Sequence, residues 1–374
     1  MTTHSERARG CLWGLAWGDV FGAPIESWPA DEIAATFGTY DALPTSYAQV
    51  KMSRRRRMRP PGLHTDDTQQ ALTLLAVCLS QGGFSPEAWG RALVRGRELR
   101  SWRGTGKQFE NAVTRLEDGG PPRSTGSPSA GIGAAMRTAI LGGLVSDDLV
   151  RLGEIACESA AVTHGDARAI ALSHAVAFAA ARFVAGASAA EVRERLPAAV
   201  ASVEATWLDR RNDWVADRRG ATQVSDALRL LLRALPARPE DVAARVLEHG
   251  AALLAPGAPP PHPNHAFALL GGHFALGMAL RDEVEPFTAL RDIVRLGEDT
   301  DTVAAIAGGL LGARFGHAWV PKTLLSDHQH LAPWADALVS HVAPESVESL
   351  LTREAQLTAS EKAFQSSSRD SNYL

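Results

Sequence analysis

Two short segments rich in aspartate and threonine are the residues of this sequence best suited to chemistry. Residues 64–68 read His-Thr-Asp-Asp-Thr, and residues 298–302 read Glu-Asp-Thr-Asp-Thr. Each opens an apolar segment of helical character, and the four aspartates carry the charge that two divalent cations would balance. Hard ions such as Mg²⁺ and Mn²⁺ prefer oxygen ligands, and a pair of ions needs several carboxylates. We therefore predict that the two segments meet in space and hold a two-metal site.

Helix capping is the alternative interpretation of both segments. Thr and Asp are good N-caps, and acidic side chains suit the first turn of a helix. Either segment alone is more typical of a cap than of a ligand set. A cap, however, needs one side-chain oxygen, and carboxylates this close together repel and raise each other's pKa unless a cation lies between them. The presence of two such segments favours the metal site.

The overall composition is that of an ordinary globular protein. The 374 residues are 45% hydrophobic, and the net charge of −4 argues against general nucleic-acid binding. Cys11, Cys78 and Cys157 stand far apart among apolar residues, which indicates buried reduced thiols. The N-terminal segment lacks a signal peptide's apolar core, and uninterrupted apolar runs are too short for a membrane span. We expect a cytoplasmic monomer without a membrane segment, and the preference for Arg over Lys suggests a GC-rich bacterial genome.

Helical periodicity runs through most of the chain, and strand signals are nearly absent. The pattern predicts helices over, among others, residues 66–81, 131–142, 166–185 and 302–316. In the last of these, glycine recurs every four residues and predicts a smooth face for close helix contact. Those glycines are Gly308, Gly312 and Gly316. Polar, Gly-rich and Pro-rich stretches predict loops at 38–64, 118–130, 206–221 and 255–264.

The domain organisation follows from this pattern. We predict an all-α fold, a single compact orthogonal helical domain over residues 1–345. A C-terminal extension, residues 346–374, is expected to be partly disordered, with a polar tail from about residue 364.

Three further features could complete a site around the acidic segments. Glu26 follows a Gly-rich turn, although a lone Glu is more often a surface carboxylate. Gly131 and Gly133 stand at a helix start, where exposed N–H groups suit phosphate, although a plain turn is the default interpretation. His164 lies between two predicted helices and is as consistent with a capping or buried histidine as with a ligand contact.

Together these segments resemble one family, the ADP-ribosylglycohydrolases, over about residues 8 to 317. The glycine motifs are G-D-x-x-G-x-x-x-E at 18–26, R-G-x-G at 103–106 and G-x-G-A-x-M-R at 131–137. The others are T-D-D-T at 65–68, T-H at 163–164, and D-T-D-T at 299–302 followed by A-A-I-A-G at 304–308. The two Asp motifs at this separation are the most specific part of the resemblance.

The resemblance implies an all-helical fold with two Mg²⁺ or Mn²⁺ ions, acting on ADP-ribose or an ADP-ribosylated macromolecule. The implied metal ligands are Thr65, Asp66, Asp67, Asp299, Asp301 and Thr302. Glu26 matches a catalytic or gating carboxylate, with Asp66 or Asp301 as possible helpers. The implied substrate contacts are the diphosphate loop Gly131, Ile132 and Gly133, with His164 and Gly106 lining the cleft. Phe267, in the helix before the second Asp motif, is a candidate to contact adenine.

The chain departs from the family pattern at four positions that bear on the substrate pocket. Ile132 replaces a common Asn, Ile140 a Pro, Glu298 a Gly and Val303 an Asn. The bond cleaved is therefore open: the ADP-ribose could be joined to arginine, serine, another side chain, a small molecule or a nucleic-acid base. A catalytically weak or inactive ADP-ribose-binding protein and a hydrolase of a related nucleotide glycoside are the alternatives.

A run of arginines just before the first Asp motif bears on the nucleic-acid alternative. Arg54 to Arg57 are consecutive, with Arg59 following after one residue. Such a run could guide a nucleic-acid strand to the site, but it is more often a solvated loop. Nucleic acid is thus a possible but less favoured partner.

Overall fold

Capping residues in the sequence set where many of the helices begin. The structure is a computed structural model and describes residues 2–55, 58–80 and 83–370. Thr3 and Ser188 each form a reciprocal capping box with the Glu three residues later. Thr65 and Asp166 cap their helices by accepting a backbone N–H. Within the described ranges the fold is all-α, with isolated β-bridges but no strands.

The helices are numbered in chain order. The first nine are α1 His4–Gly22, α2 Ala30–Phe37, α3 Met52–Arg55, α4 Asp66–Leu79, α5 Pro86–Glu98, α6 Lys107–Glu117, α7 Ala139–Leu144, α8 Leu149–Ala161 and α9 Ala167–Val184. The second nine are α10 Ala189–Ser202, α11 Leu208–Arg210, α12 Gln223–Leu232, α13 Pro239–Gly250, α14 His273–Leu280, α15 Pro286–Val294, α16 Thr300–Phe315, α17 His328–Ser340 and α18 Val347–Asp370.

The closest helix pair is α1 against α16, which run antiparallel. Four residues of α1, spaced by four, meet four of α16: Gly10 faces Gly312, Gly14 faces Gly308, Gly18 faces Ala304 and Gly22 faces Thr300. A Cβ added at any of these glycines would lie within 2.4 Å of a backbone oxygen of the other helix. The predicted contact face at Gly308 and Gly312 is confirmed, and its partner is a matching row on α1. We call this contact the glycine seam.

The centre of the fold is α9, which packs against α7, α8 and α16. Within the described residues, α9 is long and apolar enough to cross a membrane, but 89% of it is buried inside the protein. Its alanine-rich sequence lets neighbouring helices approach closely, as a core helix requires. The predicted span of 166–185 agrees with the observed Ala167–Val184.

Residues 131–142 are less helical than the sequence pattern predicts. Only a 3₁₀ turn, Ala135–Arg137, and the short α7 form there. Residues Gly131 to Gly133 instead run as an irregular segment, because Ile132 is buried and the glycines on either side lie close to the His164 ring. This segment becomes one wall of the cleft described below.

The C-terminal extension is more ordered than the sequence pattern predicts. Helix α18 continues to Asp370, beyond the start of the expected disordered tail at about residue 364. Leu350, Glu354, Thr358 and Glu361 are buried at helical spacing. This face packs on α4 and α5, and Phe364 is partly buried against the core. The buried face of α18 mixes apolar and charged residues, whereas a sequence pattern detects a purely apolar face. The pattern therefore did not predict an ordered helix here.

Candidate functional site

The glycine seam ends where the two acidic segments meet. Because α1 and α16 are antiparallel, the last turn of α1 adjoins the first turn of α16, which carries Asp299 as its N-cap and Asp301 in its first turn. Asp66 and Asp67 occupy the first turn of α4. Asp66, Asp299 and Asp301, together with Glu26, line one cleft of about 420 Å³. The structure therefore brings the two segments together.

Asp19 fastens the first acidic segment to α1. Its carboxylate accepts hydrogen bonds from the backbone N–H of Thr65 at 3.0 Å and of Thr68 at 3.1 Å, and from the Thr68 hydroxyl at 2.5 Å. Asp19 is fully buried. It belongs to the G-D-x-x-G motif in the sequence, but its role as an anchor was not foreseen. The sequence did contain a signal for this role, because Asp19 lies one residue after the seam glycine Gly18 in the motif.

Mutual repulsion and burial dominate the electrostatics of the cluster. Burial, followed by the charge of Asp19, raises the pKa of Asp66 to about 7. Burial and neighbouring aspartates raise the pKa of Asp67 and Asp299 well above the ordinary value, and burial followed by the charge of Glu26 does so at Asp301. Like charges gathered in a buried place disfavour ionisation unless a cation compensates them.

The donor set at the cluster fits a hard cation. Asp67 Oδ2 accepts a hydrogen bond from the Thr65 hydroxyl at 2.9 Å, while Asp67 Oδ1 is buried without a partner. The Thr302 hydroxyl contributes a further oxygen beside Asp299. No three acidic, His or Cys side chains in the described ranges are already closed around one point. Charge and donor type, rather than preformed coordination, therefore favour cations here.

Glu26 stands at the same end of the cleft. It ends the 3₁₀ turn Ala23–Ile25. Burial raises the pKa of Glu26 to about 7, opposed by the charge of Arg59 and assisted by the charge of Asp299. A carboxyl group with this pKa exchanges its proton readily near neutral pH, as a general acid or base must.

The chain following Glu26 is clamped to the chain preceding Asp299. The N–H of Ser27 donates to Glu298 O at 2.8 Å, and the N–H of Glu298 donates to Trp28 O at 3.1 Å. Ser27 and Glu298 both adopt left-handed backbone, with φ of 62° and 63°. Left-handed backbone strains any residue other than glycine. Glycine would adopt this conformation without strain, whereas this chain has Glu298 there.

A further part of the cleft wall is formed by Gly131, Ile132, Gly133, His164 and Gly106. The glycines leave room for the His164 ring, since a Cβ on Gly133 would lie 3.2 Å from its Nε2. Burial, with the nearby charge of Arg137, lowers the pKa of His164 to about 3, so that the imidazole is neutral. A neutral ring can accept or donate a hydrogen bond without adding charge to the cleft.

A buried polar relay joins this wall to the acidic cluster. Gln70 donates to Asp66 at 2.9 Å and accepts from Arg137 at 2.6 Å. Arg137 also donates to the Thr163 hydroxyl at 2.7 Å, which lies 3.0 Å from Nδ1 of His164. Burial lowers the pKa of Arg137 to about 9. The relay links this part of the wall to the acidic cluster through buried hydrogen bonds, and sequence reasoning did not identify it.

Other predicted residues lie outside the cleft lining. Thr65 and Asp67 are buried behind it. Phe267 is also absent from the lining, because its ring lies beneath the Arg168 guanidinium at 5.5 Å, while its neighbours His265 and Ala266 line the cleft. The cleft is bordered there by Pro259, from the Pro-rich loop that the sequence places at the surface.

Helix α18 braces the acidic segment from behind through Glu354. Its carboxylate pairs with the Arg103 guanidinium at 2.8 Å, lies 3.2 Å from His64 Nε2 and accepts from Gln69 at 2.8 Å. Burial alone would raise the pKa of Glu354, but the charges of His64 and Arg103 hold it well below the ordinary range. Arg103 also donates to the backbone oxygen of His64 at 2.7 Å. We call these four side chains the Glu354 brace.

The arginine run is largely tied up in contacts within the chain. Arg54 pairs with Glu32 at 2.6 Å, and Arg55 donates to Val50 O at 2.7 Å. Arg59 pairs with Glu361 of α18 at 2.8 Å. Arg56 and Arg57 lie outside the described residues. These contacts favour a structural role for the described arginines over a free basic surface.

Comparisons with known proteins agree with this geometry. A family model described as ADP-ribosylglycohydrolase matches residues 1–354. A solved structure titled ADP-ribosylglycohydrolase-related protein complex has a TM-score of 0.59 and 25% identity, over 92% of this chain and 100% of that chain.

Two curated relatives are described only as uncharacterized proteins. One, from Archaeoglobus fulgidus, is 33% identical over 46% of this chain and 54% of its own length. The other, YegU of Escherichia coli, is 29% identical over 52% of this chain and 58% of its own length. The matched segment thus spans a little over half the length of these relatives. On the family match over nearly the whole chain, the chain belongs to the ADP-ribosylglycohydrolase family.

Proposed function

We propose that this protein is a metal-dependent hydrolase that cleaves the C1″ glycosidic bond between ADP-ribose and a target. The observation that carries the proposal is the cleft itself. Its lining gathers Glu26 with three aspartates, and it also contains the Gly131–Gly133 segment beside a neutral His164. A ribose that bears a diphosphate needs both environments, carboxylate-bound cations for the ribose hydroxyls and a glycine-containing turn for the phosphates.

Two Mg²⁺ or Mn²⁺ ions are the proposed cofactors. Thr65, Asp66, Asp67, Asp299, Asp301 and Thr302 would hold them, and the unpartnered oxygen of Asp67 and the raised pKa values of the aspartates support this assignment. When bound, such ions fix sugar hydroxyls and lower the pKa of a water molecule.

Glu26 is the proposed proton-transfer group. Glycoside hydrolysis passes through an oxocarbenium-like transition state, in which a carboxylic acid protonates the leaving group or a carboxylate activates water. Burial, the largest cause, raises the pKa of Glu26 to about 7 in the metal-free protein, and such burial favours a proton-exchanging carboxyl group near neutral pH. Asp66 and Asp301 line the same end of the cleft and are the proposed helpers.

The test is ADP-ribose release from arginine-, serine- and base-linked ADP-ribosyl substrates, with Mg²⁺ or Mn²⁺ and with a chelator. We expect metal-dependent release from at least one substrate. Asp301→Ala should abolish it, and Glu26→Gln should lower kcat by roughly 10²- to 10⁴-fold. Asp226→Ala, at an exposed position on α12 outside the cleft, is the matched control and should retain wild-type turnover.

Two outcomes would contradict the proposal. Release that survives chelation and Asp301→Ala would remove the metal site from the reaction. Tight binding of ADP-ribose by calorimetry, with no release from any substrate, would favour the alternative of a binding protein without turnover.

A further inference from the structure

Arg59 places a positive charge beside the acidic cluster without being part of the cleft lining. A Cβ added to Gly104, a residue of the lining, would lie 2.9 Å from Arg59 Nη2 and 3.1 Å from Asp66 Oδ1. The sum of these two distances is the largest separation that the two side-chain atoms can have. Opposite charges this close, in a place largely shielded from solvent, interact strongly. Arg59 is therefore an electrostatic neighbour of the proposed metal ligands.

The charged groups around Arg59 are mainly acidic. Burial alone would lower the pKa of its guanidinium, but nearby carboxylates raise it. In order of effect these carboxylates are Glu26, Glu361, Asp301 and Asp19. The Nη1 atom of Arg59 is buried and has no hydrogen-bond partner in the described part of the chain. A buried N–H group without a partner is costly, so attraction to the carboxylates must offset that cost.

One ion pair fixes the position of Arg59. Its Nε donates to Glu361 Oε1 of α18 at 2.8 Å, and the two side chains are 14% and 7% exposed. Within the described residues Arg59 forms this ion pair and none with the aspartates of the cluster. Glu361 lies beyond residue 354, where the match to the family model ends. We call this ion pair the Arg59 tether, and the part of the chain that supplies its carboxylate lies outside the family match.

We propose that Arg59 is a built-in counter-cation of the acidic cluster and that Glu361, by holding it back, sets how tightly the site binds divalent metal. This inference rests on the proposed metal site. A fixed positive charge near the carboxylates offsets their mutual repulsion while no metal is bound, and it repels a divalent cation that enters. Loss of Glu361 would free the guanidinium to pair with the carboxylates, and would therefore oppose metal binding further.

The experiment measures the Kd for Mn²⁺ by calorimetry at pH 8, where fewer protons compete with the metal than at neutral pH. Arg59→Met removes the charge and keeps an unbranched side chain, and should lower the Kd roughly tenfold. Arg59→Lys keeps the charge and should stay within about threefold of wild type. A residue with only a packing role would respond to both substitutions alike.

Removing the Arg59 tether tests the second half of the inference. Glu361→Gln should raise the Kd for Mn²⁺ about fivefold. It should have little effect when Arg59→Met is also present, because Glu361 acts through Arg59. Glu348→Gln is the matched control, since it makes the same substitution on the same helix and removes the exposed ion pair with Arg95, outside the cleft. Its Kd should equal that of wild type.

Three results would overturn the inference. An unchanged Kd in Arg59→Met, or equal shifts in Arg59→Met and Arg59→Lys, would remove the charge of Arg59 from metal binding. The same rise in Kd for Glu361→Gln with and without Arg59→Met would show that Glu361 does not act through Arg59. No binding of Mn²⁺ by wild type would instead reject the proposed metal site and the inference with it, and so is distinguished from failure of the inference alone.

Discussion

The glycine seam and the Glu354 brace hold the same acidic cluster by opposite physical means. The seam brings α1 and α16 into backbone contact with almost no side chains between them. The brace holds the first acidic segment through buried charges, with Glu354 and Arg103 side chains each only 1% exposed. The seam depends on the absence of side-chain atoms at its glycines, whereas the brace depends on buried charges.

This difference predicts different tolerances in the two regions. Close packing cannot absorb added volume when the obstacle is backbone. A buried ion pair tolerates changes of shape but not the loss of one partner, because the remaining charge is left without compensation. Substitutions that add volume at the seam, and others that remove charge at the brace, should therefore measure the two kinds of stabilisation separately.

The largest effect is expected at the seam. A Cβ at Gly312 would lie 1.8 Å from the backbone oxygen of Gly10, so Gly312→Ala must force α1 and α16 apart. We expect a loss of about 5 kcal/mol in the free energy of unfolding, at the upper end for single changes, measured by denaturant titration. Gly106→Ala is the control: φ is −79° and nothing lies within 4 Å of the added atom, so the loss should stay within about 1 kcal/mol, the cost of a less favourable N-cap residue. Equal stabilities of the two variants would refute close backbone contact.

The next largest effect is expected at the brace. Glu354→Gln conserves volume but leaves Arg103 buried without its counter-charge, and should cost about 3 kcal/mol. Adding Arg103→Met should recover part of the loss, which a double-mutant cycle would measure. If the double variant shows the sum of two independent losses, the pair does not act as a unit.

The last effect is spread over several pH units and is expected from the titration of the cleft carboxylates. The pKa of Glu26 and that of Asp66 are raised to about 7 from ordinary values near 4. The folded state thus holds these protons more tightly than the unfolded state, so without metal the free energy of unfolding should fall as pH rises from about 4 to 7. Glu354 titrates below this window, because its pKa is lowered.

Thermal unfolding in a chelator at several pH values measures this slope. Glu26→Gln combined with Asp66→Asn should flatten it. Added Mg²⁺ or Mn²⁺ should stabilise wild type more at pH 8 than at pH 5, because metal binding requires deprotonated ligands. A free energy of unfolding that rises between about pH 4 and 7 in the metal-free wild type would contradict the predicted direction.

Local sequence patterns predicted the seam better than the brace. Gly308 and Gly312 repeat at helical spacing, so the contact face on α16 could be foreseen without knowing its partner. The charge of the four aspartates was enough to predict that the two acidic segments meet. Glu354 gave no such signal, since one acidic residue on a polar helix is ordinarily solvated. Its role depends on the path of α18 across α4, which is set by long-range packing.

The cleft wall shows a second limit of pattern reasoning. The relay from Asp66 and Gln70 through Arg137 to Thr163 joins three distant parts of the chain, and none of these residues alone predicts it. Phe267 illustrates the converse, because its place in the sequence suggested a ligand contact while packing turned its ring under Arg168. Side-chain direction is decided by the assembled structure, not by position along the chain.

The seam also constrains the order in which the molecule can be made. Gly22 and the residue it meets, Thr300, are separated by 278 positions. During synthesis α1 is complete long before α16 exists. Its glycine row and the adjacent Trp17, which is buried in the folded protein, therefore have no α16 to pack against at first. Loop closure over this distance is slow and follows local helix formation. We therefore expect the acidic cluster at the end of the seam to form only after α16 has been made and has packed against α1.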